Sequence, residues 1–99
     1  MAAKHSLRVR TTKRFERAYR RYVGRDLVRR VNVDEALRRL AADMNDPRLK
    51  THALSGELAG SHACSCGHNC RIVFTLEANP TGGRKEILLA DVGTHDQIY

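Results

Sequence analysis

Two strand-like runs near the end of the chain, separated by a single turn, constrain its fold more than any other feature. Residues 71–76 (RIVFTL) and 87–92 (ILLADV) are dense in β-branched and other apolar side chains, and residues 79–83 (NPTGG) favour a tight turn. Strands joined by so short a connection pair antiparallel. We therefore predict a three-stranded meander in the second half of the chain, with residues 49–60 as a loop that leads into its first strand.

The first 24 residues predict a short strand followed by a helix. Leu7 and Val9 alternate with basic residues, which indicates a strand over residues 6–10. Thr11 or Thr12 then caps a helix that ends at Gly24. Its apolar face carries three aromatic residues that we expect in the core: Phe15, Tyr19 and Tyr22.

A second helix is predicted over residues 26–43, before the dipeptide Asp46-Pro47, which disfavours helical geometry. Leu27 and Val31 lie on a neighbouring face of this helix, so either its apolar arc is wide or Asn32 interrupts it. The main apolar repeat consists of Val33, Leu37, Leu40 and Met44.

Ninety-nine residues suffice for one domain with a modest core. The predicted fold is a single α+β domain over residues 1–99, in which an N-terminal strand and a basic helical hairpin pack on an antiparallel sheet. No run approaches the roughly 20 apolar residues of a membrane span, and the N-terminus has no apolar signal core. We therefore expect a cytoplasmic protein with no membrane partner.

Positive charge is concentrated in the first third of the chain. Residues 1–30 contain eleven Lys and Arg against two acidic residues, a net charge of +9, whereas the other 69 residues have a net charge of −2. Such an Arg-rich segment is typical of proteins that bind RNA or DNA phosphates, and it would serve an acidic protein partner equally well. Arginines crowd the outer surfaces of the predicted helices: Arg14, Arg17, Arg21, Arg25, Arg29 and Arg30.

Three cysteines lie within the seven-residue segment CSCGHNC, residues 64–70. In an extended strand, four alternate residues would share one face and could hold zinc: Cys64, Cys66, His68 and Cys70. Gly67 and Asn69 favour a hairpin turn, which would break this alternation. We predict no metal and no cofactor, and interpret the cysteines as buried or turn-lining thiols of a reduced protein, with redox sensitivity as a lesser alternative.

The last predicted strand ends at Gly93, and His95 and Tyr99 follow it in the chain, so both are expected near the end of that strand. Histidine transfers protons near neutral pH, and tyrosine combines a flat ring with a hydroxyl group, although these residues could equally belong to a frayed terminus. Four of the five histidines follow residue 50. That supply suits RNA cleavage without a metal, in which two imidazoles act as base and acid and a fixed cation stabilises the phosphate.

Three segments of the chain resemble the RelE/ParE superfamily of toxins of type II toxin–antitoxin modules, and especially its RelE/StbE and YafQ-like members. They are residues 48–56 (RLKTHALSG), 70–74 (CRIVF) and 88–99 (LLADVGTHDQIY), with Gly60 between the first two. The resemblance extends over residues 15–99. It implies a RelE-like fold, metal-independent cleavage of mRNA, usually on the ribosome, and neutralisation by a cognate antitoxin.

The resemblance also implies individual roles. His52 matches a histidine of the YafQ-like loop implicated in catalysis, and Arg71 matches the arginine that contacts the scissile phosphate. His95 matches the C-terminal histidine of YafQ-like members and lies where RelE has a catalytic arginine. We predict that the two histidines share the acid and base roles, that Arg71 holds the phosphate, and that Tyr99 stacks on or hydrogen-bonds the flanking nucleotide. The predicted substrate-binding residues are His62, Lys50, Arg14, Arg17 and Arg21, whereas His68 and His5 are interpreted as loop residues without a role.

Three positions depart from the YafQ-like pattern. Ser65 and Asn69 stand where these relatives carry a histidine and an acidic residue, and Asp91 replaces an arginine. The identity of the general base is therefore open. So is the function, because the same fold also serves ParE-like inhibitors of DNA gyrase without nuclease activity, and an inactive toxin that only binds its antitoxin would share it too.

Overall fold

The fold is described here from a computed structural model that covers residues 7–79 and 82–99. Ser6 of the predicted first strand, Pro80 and Thr81 of the predicted turn, and His5 lie outside these residues. The described part contains five strands and three α-helices, with short 3₁₀ turns at Pro47–Leu49 and Gly56–Leu58. In chain order they are β1 (Val9–Arg10), α1 (Lys13–Val23), α2 (Leu27–Ala42), β2 (His52–Ala53), β3 (His62–Ser65), β4 (Arg71–Glu77), β5 (Glu86–Gly93) and α3 (His95–Ile98).

All five strands form one sheet in the order β1-β5-β4-β3-β2. The predicted α+β class, with an N-terminal strand and a helical hairpin against a sheet, is confirmed. The sheet is mixed, however, because β1 pairs parallel with β5 while the other neighbours are antiparallel. Parallel pairing is open to β1 because both helices and three strands separate it from β5 along the chain.

The prediction of a three-stranded meander was wrong by one strand. His52–Ala53, within the segment predicted as a loop, forms β2 and pairs with Ala63 and His62 of β3. A two-residue strand has no periodicity that a sequence pattern could reveal.

Helices α1 and α2 each begin at a residue whose side chain caps the helix. Thr12, rather than Thr11, caps α1, because its hydroxyl accepts a hydrogen bond from the Phe15 N–H at 3.1 Å. Gly24 ends this helix as predicted, with a φ of 49° in the left-handed region. The carboxylate of Asp26 accepts bonds from the backbone of the first turn of α2.

Helix α2 runs without interruption through Asn32. Val33, Ala36 and Leu40 are buried, whereas Leu27 and Val31 are 70% and 63% exposed. The apolar arc of α2 is therefore wide, but only its apolar residues after Asn32 face the core. Leu27 and Val31, which precede Asn32, face solvent.

The core lies between the two long helices and strands β3–β5. Phe15 is buried as predicted, whereas Tyr19 and Tyr22 pack partly exposed at the edge of the core. Its largest fully buried side chains are Phe74, Leu40, Leu49, Ile72, Ile87 and Leu89. Within the described residues, no helix has the length and apolar character needed to cross a membrane.

A bulge in β5 sets the register at the end of the sheet. Val73 pairs with Asp91, but the next residue, Phe74, pairs with Leu89, so Ala90 is the extra residue. Because side chains alternate along a strand, one inserted residue reverses which of them face the core beyond that point. Leu89 and Val92 are consequently both buried, although they are three residues apart.

Two leucines of α2 provide a matched test of this packing. Leu40→Ala is expected to lower the free energy of unfolding by about 3 kcal/mol, because Leu40 is fully buried and the substitution leaves a cavity. Leu27→Ala, in the same helix, is expected to change it by about 0.5 kcal/mol or less. Urea denaturation followed by circular dichroism measures both values, and equal effects would contradict the burial described here.

Candidate active site

One end of the sheet gathers the residues predicted to be catalytic. β3 ends at Ser65, which pairs with Arg71 at the start of β4, and Arg71 in turn pairs with Gly93 at the end of β5. β2 runs antiparallel to β3, so its beginning, at His52, lies toward the same end. The chain segments that carry Lys50, Arg71 and His95 therefore meet at one edge of the molecule.

The C-terminus folds as helix α3 instead of fraying. Thr94 and Gln97 form a reciprocal capping box: the Thr94 hydroxyl accepts from the Gln97 N–H at 3.3 Å, and the Gln97 carboxamide oxygen accepts from the Thr94 N–H at 2.8 Å. The helix turns the chain away from β5 and brings Tyr99 to His52 on the far edge strand.

His52, His95 and Tyr99 form one contact cluster. The Tyr99 hydroxyl lies 3.3 Å from Nε2 of His52, and the Tyr99 ring meets the His95 ring edge-on with centroids 4.7 Å apart. Nδ1 of His52 lies 3.1 Å from the backbone oxygen of Lys50. Because a carbonyl oxygen can only accept, Nδ1 carries the proton, and in the neutral ring Nε2 accepts from Tyr99.

Arg71 lines a basic cavity beside this cluster. Its Nη1 donates to the backbone oxygen of Cys70 at 2.8 Å. The cavity encloses about 300 Å³ and is lined by Arg48, Lys50, Ser65, Gly67, His68, Asn69 and Arg71. Three cationic side chains and one imidazole in a single cleft match the requirements of a bound phosphodiester.

Three residues that were not predicted to be functional share this cavity with Arg71: Arg48, His68 and Asn69. Arg48 forms a two-point ion pair with Asp46, at 2.7 and 3.1 Å, and this guanidinium lowers the pKa of Asp46 to about 2. Arg48 stands two residues before Lys50 in a segment used for the family resemblance, so its position was a usable signal. His68 and Asn69 carried none, since their placement depends on the turn that holds them.

The basic face of α1 borders the opposite side of α3. Arg14 forms an ion pair with Asp91 at 3.1 Å, and Arg21 lines a second cavity together with Thr94 and Gln97. Arg17 is exposed and lies between these arginines at helical spacing, so the three share one face. Their predicted role in RNA binding stays a prediction.

His62 is not brought to the cluster. It lies at the other end of β3, where its ring stacks on Phe74 with centroids 5.5 Å apart. Its Nδ1 is buried and has no hydrogen-bond partner among residues 7–79 and 82–99. His62 pairs with Ala53, next to His52, but neighbouring positions of a strand face opposite sides, so the two imidazoles lie on opposite faces of the sheet. The predicted contact of His62 with substrate has no support from this placement.

The cysteine segment forms a hairpin turn, as Gly67 and Asn69 indicated, and both have positive φ values, 107° and 53°. The interpretation of all three cysteines as free thiols was wrong, because Cys66 and Cys70 are joined by a disulfide. The turn brings their Cα atoms within 5.0 Å, a separation typical of disulfides. Two of the four candidate zinc ligands are thereby consumed, and residues 7–79 and 82–99 contain no other group of His, Cys, Asp or Glu suited to a metal.

The same architecture occurs in solved structures of small bacterial toxins. The YoeB/ParE toxin from Agrobacterium tumefaciens superposes with a TM-score of 0.71 at 15% identity, over 90% of this chain and 99% of that one. YafQ from E. coli strain BL21(DE3) superposes with a TM-score of 0.65 at 11% identity, over 95% and 99% of the two chains. The RelBE2 toxin–antitoxin complex from Mycobacterium tuberculosis gives 0.64 at 19% identity, over 91% and 99%. The fold is that of the RelE-like toxin class.

The sequence identifies the family within that class. Residues 7–99 match the family described as "Bacterial toxin of type II toxin-antitoxin system, YafQ". The chain therefore belongs to this family, as the resemblance indicated. A comparison with curated protein sequences gives no significant match.

Thiol labelling tests the cysteine assignment. Burial raises the pKa of the Cys64 thiol to about 12, so at pH 8 it is protonated and unreactive toward iodoacetamide in the folded protein. Mass spectrometry is expected to find no label on the native protein, one label after denaturation without reductant, and three after denaturation with reductant. Three labels without reductant would contradict the disulfide, and rapid labelling of Cys64 in the native protein would contradict its burial.

Proposed function

We propose that this YafQ-family toxin is a metal-independent endoribonuclease that cleaves mRNA and thereby inhibits translation. The observation that carries the proposal is the contact cluster of two imidazoles and a phenol, His52, His95 and Tyr99, beside the basic cavity of Arg71. Acid–base groups next to fixed cations are what phosphodiester cleavage without a metal requires.

The tautomer of His52 makes its Nε2 atom the general base. With its Nδ1 proton directed at the Lys50 carbonyl, Nε2 presents a lone pair to the Tyr99 hydroxyl. A ribose 2′-hydroxyl that displaces the Tyr99 hydroxyl would meet the same lone pair and lose its proton to it. The resulting 2′-oxygen attacks the adjacent phosphorus in line with the 5′-oxygen, which leaves.

His95 supplies the proton for the leaving oxygen. Its ring faces Tyr99, and its Nδ1 lies 3.7 Å from the Asp96 carboxylate, an ion pair when the imidazole is protonated. Arg71 stabilises the charge that develops on the equatorial oxygens, and Lys50 and Arg48 line the same cavity. The displaced Tyr99 ring remains available to stack on a neighbouring base.

This chemistry separates the proposal from the ParE-like alternative. A gyrase inhibitor without nuclease activity has no use for paired imidazoles beside an arginine-lined cavity, and membership of the YafQ family does not favour that alternative. Tests in cells distinguish the two, because a ribonuclease halts translation whereas gyrase inhibition causes DNA damage and filamentation. The exposed arginines of α1 further suit ribosomal RNA, so we infer cleavage on the ribosome in the cytoplasm.

Purified protein and a short RNA test the mechanism. Wild-type protein is expected to yield fragments with 2′,3′-cyclic phosphate and 5′-hydroxyl ends when the RNA is supplied on ribosomes. Any cleavage of free RNA is expected to persist in EDTA. His95→Ala and Arg71→Ala are each expected to lower the cleavage rate by about 100-fold or more, because each removes an acid or a cation from the transition state. Denaturing gels and mass spectrometry of the fragments provide the measurements.

Two controls make this result specific. Arg38→Ala removes an exposed arginine that pairs with Glu35 outside the cavity and is expected to leave cleavage unchanged. A substrate with a 2′-O-methyl group at the scissile nucleotide is expected to resist cleavage, since it has no nucleophile. Parallel reactions with and without ribosomes determine whether ribosomes are required. Full activity of folded His95→Ala and Arg71→Ala proteins would refute the assignment.

We also propose where the antitoxin binds. Two solved relatives, the RelBE2 complex and the YoeB–YefM complex from Staphylococcus aureus, are toxin–antitoxin complexes. In this chain Leu27, Val28 and Val31 form an exposed apolar patch on the first turns of α2, with exposures of 70%, 70% and 63%. Exposed aliphatic residues grouped in this way are typical of a protein-binding surface.

The residues around this α2 patch indicate what kind of antitoxin segment would bind it. Val31 lines a cleft that also contains Arg48, Ser65 and Gly67, so the patch adjoins the basic cavity. Arg25, Arg29 and Arg30 flank it and are exposed. An antitoxin segment with apolar and acidic side chains would therefore satisfy the patch and cover the approach to Arg71.

Polar substitution of the α2 patch tests this surface. The triple variant Leu27→Ser, Val28→Ser, Val31→Ser is expected to bind the neighbouring gene's antitoxin at least about 10-fold more weakly while RNA cleavage stays unchanged. Calorimetric titration measures the affinity. Glu77→Ala, at the opposite end of the sheet, is the control that should bind normally. Unaltered affinity of the triple variant would place the antitoxin elsewhere.

A further inference from the structure

We propose that Asn69 is a positioning residue of the nuclease and that the disulfide-closed turn, residues 66–70, holds it in place. The carboxamide of Asn69 fixes the backbone of His95, and through it the direction of the His95 ring. The inference rests on the proposed function, because His95 is assigned there as the general acid.

The contact is a hydrogen bond between residues 26 positions apart. The His95 N–H donates to the carboxamide oxygen of Asn69 at 3.1 Å. His95 is the first residue of α3, where backbone N–H groups have no partner within the helix. The capping box of Thr94 and Gln97 supplies two side-chain hydrogen bonds at this end of α3. Asn69 supplies a third, from a distant part of the chain.

The turn that presents Asn69 is unusually constrained for a loop. Asn69 has a φ of 53°, in the left-handed region that asparagine tolerates better than most residues. The Cys66 N–H donates to the Cys70 carbonyl at 3.1 Å, and the disulfide closes the same five residues. Both cysteines are buried in the core, and Gly67 lies so close to Asn32 that a Cβ atom would come within 2.9 Å of its carboxamide nitrogen.

The same turn also contacts the proposed phosphate-binding arginine. Arg71 donates to the backbone oxygen of Cys70 at 2.8 Å, and Cys70 directly follows Asn69 in the chain. One five-residue segment therefore touches both the arginine that would bind the phosphate and the backbone of the histidine that would protonate the leaving group. This segment therefore adds to the β4–β5 pairing of Arg71 with Gly93 in fixing the positions of these two groups.

Asparagine is suited to positioning and unsuited to proton transfer. Its carboxamide is neutral at every pH of interest, so it accepts the His95 N–H without titrating. It cannot act as a general base or acid. Any effect of Asn69 on cleavage is therefore expected to pass through His95.

Two substitutions of Asn69 separate its hydrogen bond from its backbone conformation. Asn69→Gly tolerates the positive φ but removes the acceptor, whereas Asn69→Asp retains an acceptor in the same place. Asn69→Gly is expected to lower kcat by about 10- to 100-fold with little change in KM. A poorly oriented His95 slows protonation of the leaving oxygen but does not weaken substrate binding. Asn69→Asp is expected to retain most of the wild-type kcat but to raise KM, because it keeps the acceptor and adds a negative charge to the cavity proposed to bind the phosphate.

A double-mutant cycle distinguishes positioning from general loss of structure. In a His95→Gln background, Asn69→Gly is expected to cause no further loss of kcat, because the group it directs is already gone. Additive losses in the double variant, or a wild-type kcat for Asn69→Gly, would overturn the proposal. Wild-type protein that cleaves no RNA, either alone or with ribosomes, would instead refute the proposed function, and this inference with it.

Reduction of the disulfide tests the second half of the proposal. A dithiol such as dithiothreitol converts Cys66–Cys70 to two thiols and is itself oxidised to a cyclic disulfide, with two electrons and two protons transferred. Once thiol counting shows complete reduction, the wild-type kcat is expected to fall toward that of Asn69→Gly, and Asn69→Gly itself is expected to be insensitive. An unchanged wild-type kcat after complete reduction would overturn the role of the disulfide.

Discussion

The antiparallel register between β4 and β5 is the constraint on which the rest of the site depends. It places Arg71 opposite Gly93, two residues before His95. The bulge at Ala90 is part of that register, since without it every side chain beyond Leu89 would point to the other face of the sheet. The precision of a site assembled from strand ends therefore depends on the pairing of the two longest strands. Most of the buried core residues lie on those strands and on helices α1 and α2.

The sheet and the helices contribute different groups to the proposed function. The sheet and the disulfide-closed turn hold the groups proposed for chemistry, whereas α1 and α2 supply exposed arginines and the α2 patch. The two layers meet where Asn32 approaches Gly67. Because a partner on α2 would lie next to the turn that contacts both Arg71 and His95, binding and catalysis are close enough for an antitoxin to block the site without reaching into it.

Sequence patterns predicted the regular elements well where a repeat was long. The helical spacing of Phe15, Tyr19 and Tyr22 and the apolar run of β4 each extend over enough residues to fix their type and their buried face. Two-residue strands have no such repeat, so β2 was missed and its histidine was assigned to a loop. The parallel pairing of β1 likewise has no local signal, because it depends on a partner more than 70 residues away.

What the sequence determined by itself is the chemistry available: the basic first third, the late histidines, the arginine that opens β4 and the closing tyrosine. Only the tertiary structure decided which of these groups meet. It joined His52 to Tyr99 across the sheet, left His62 stacked on Phe74, and brought Asn69 to the backbone of His95. Contacts between residues 26 or 47 positions apart depend on strand register and on a closed turn, and neither is encoded in the spacing of residue types along the chain.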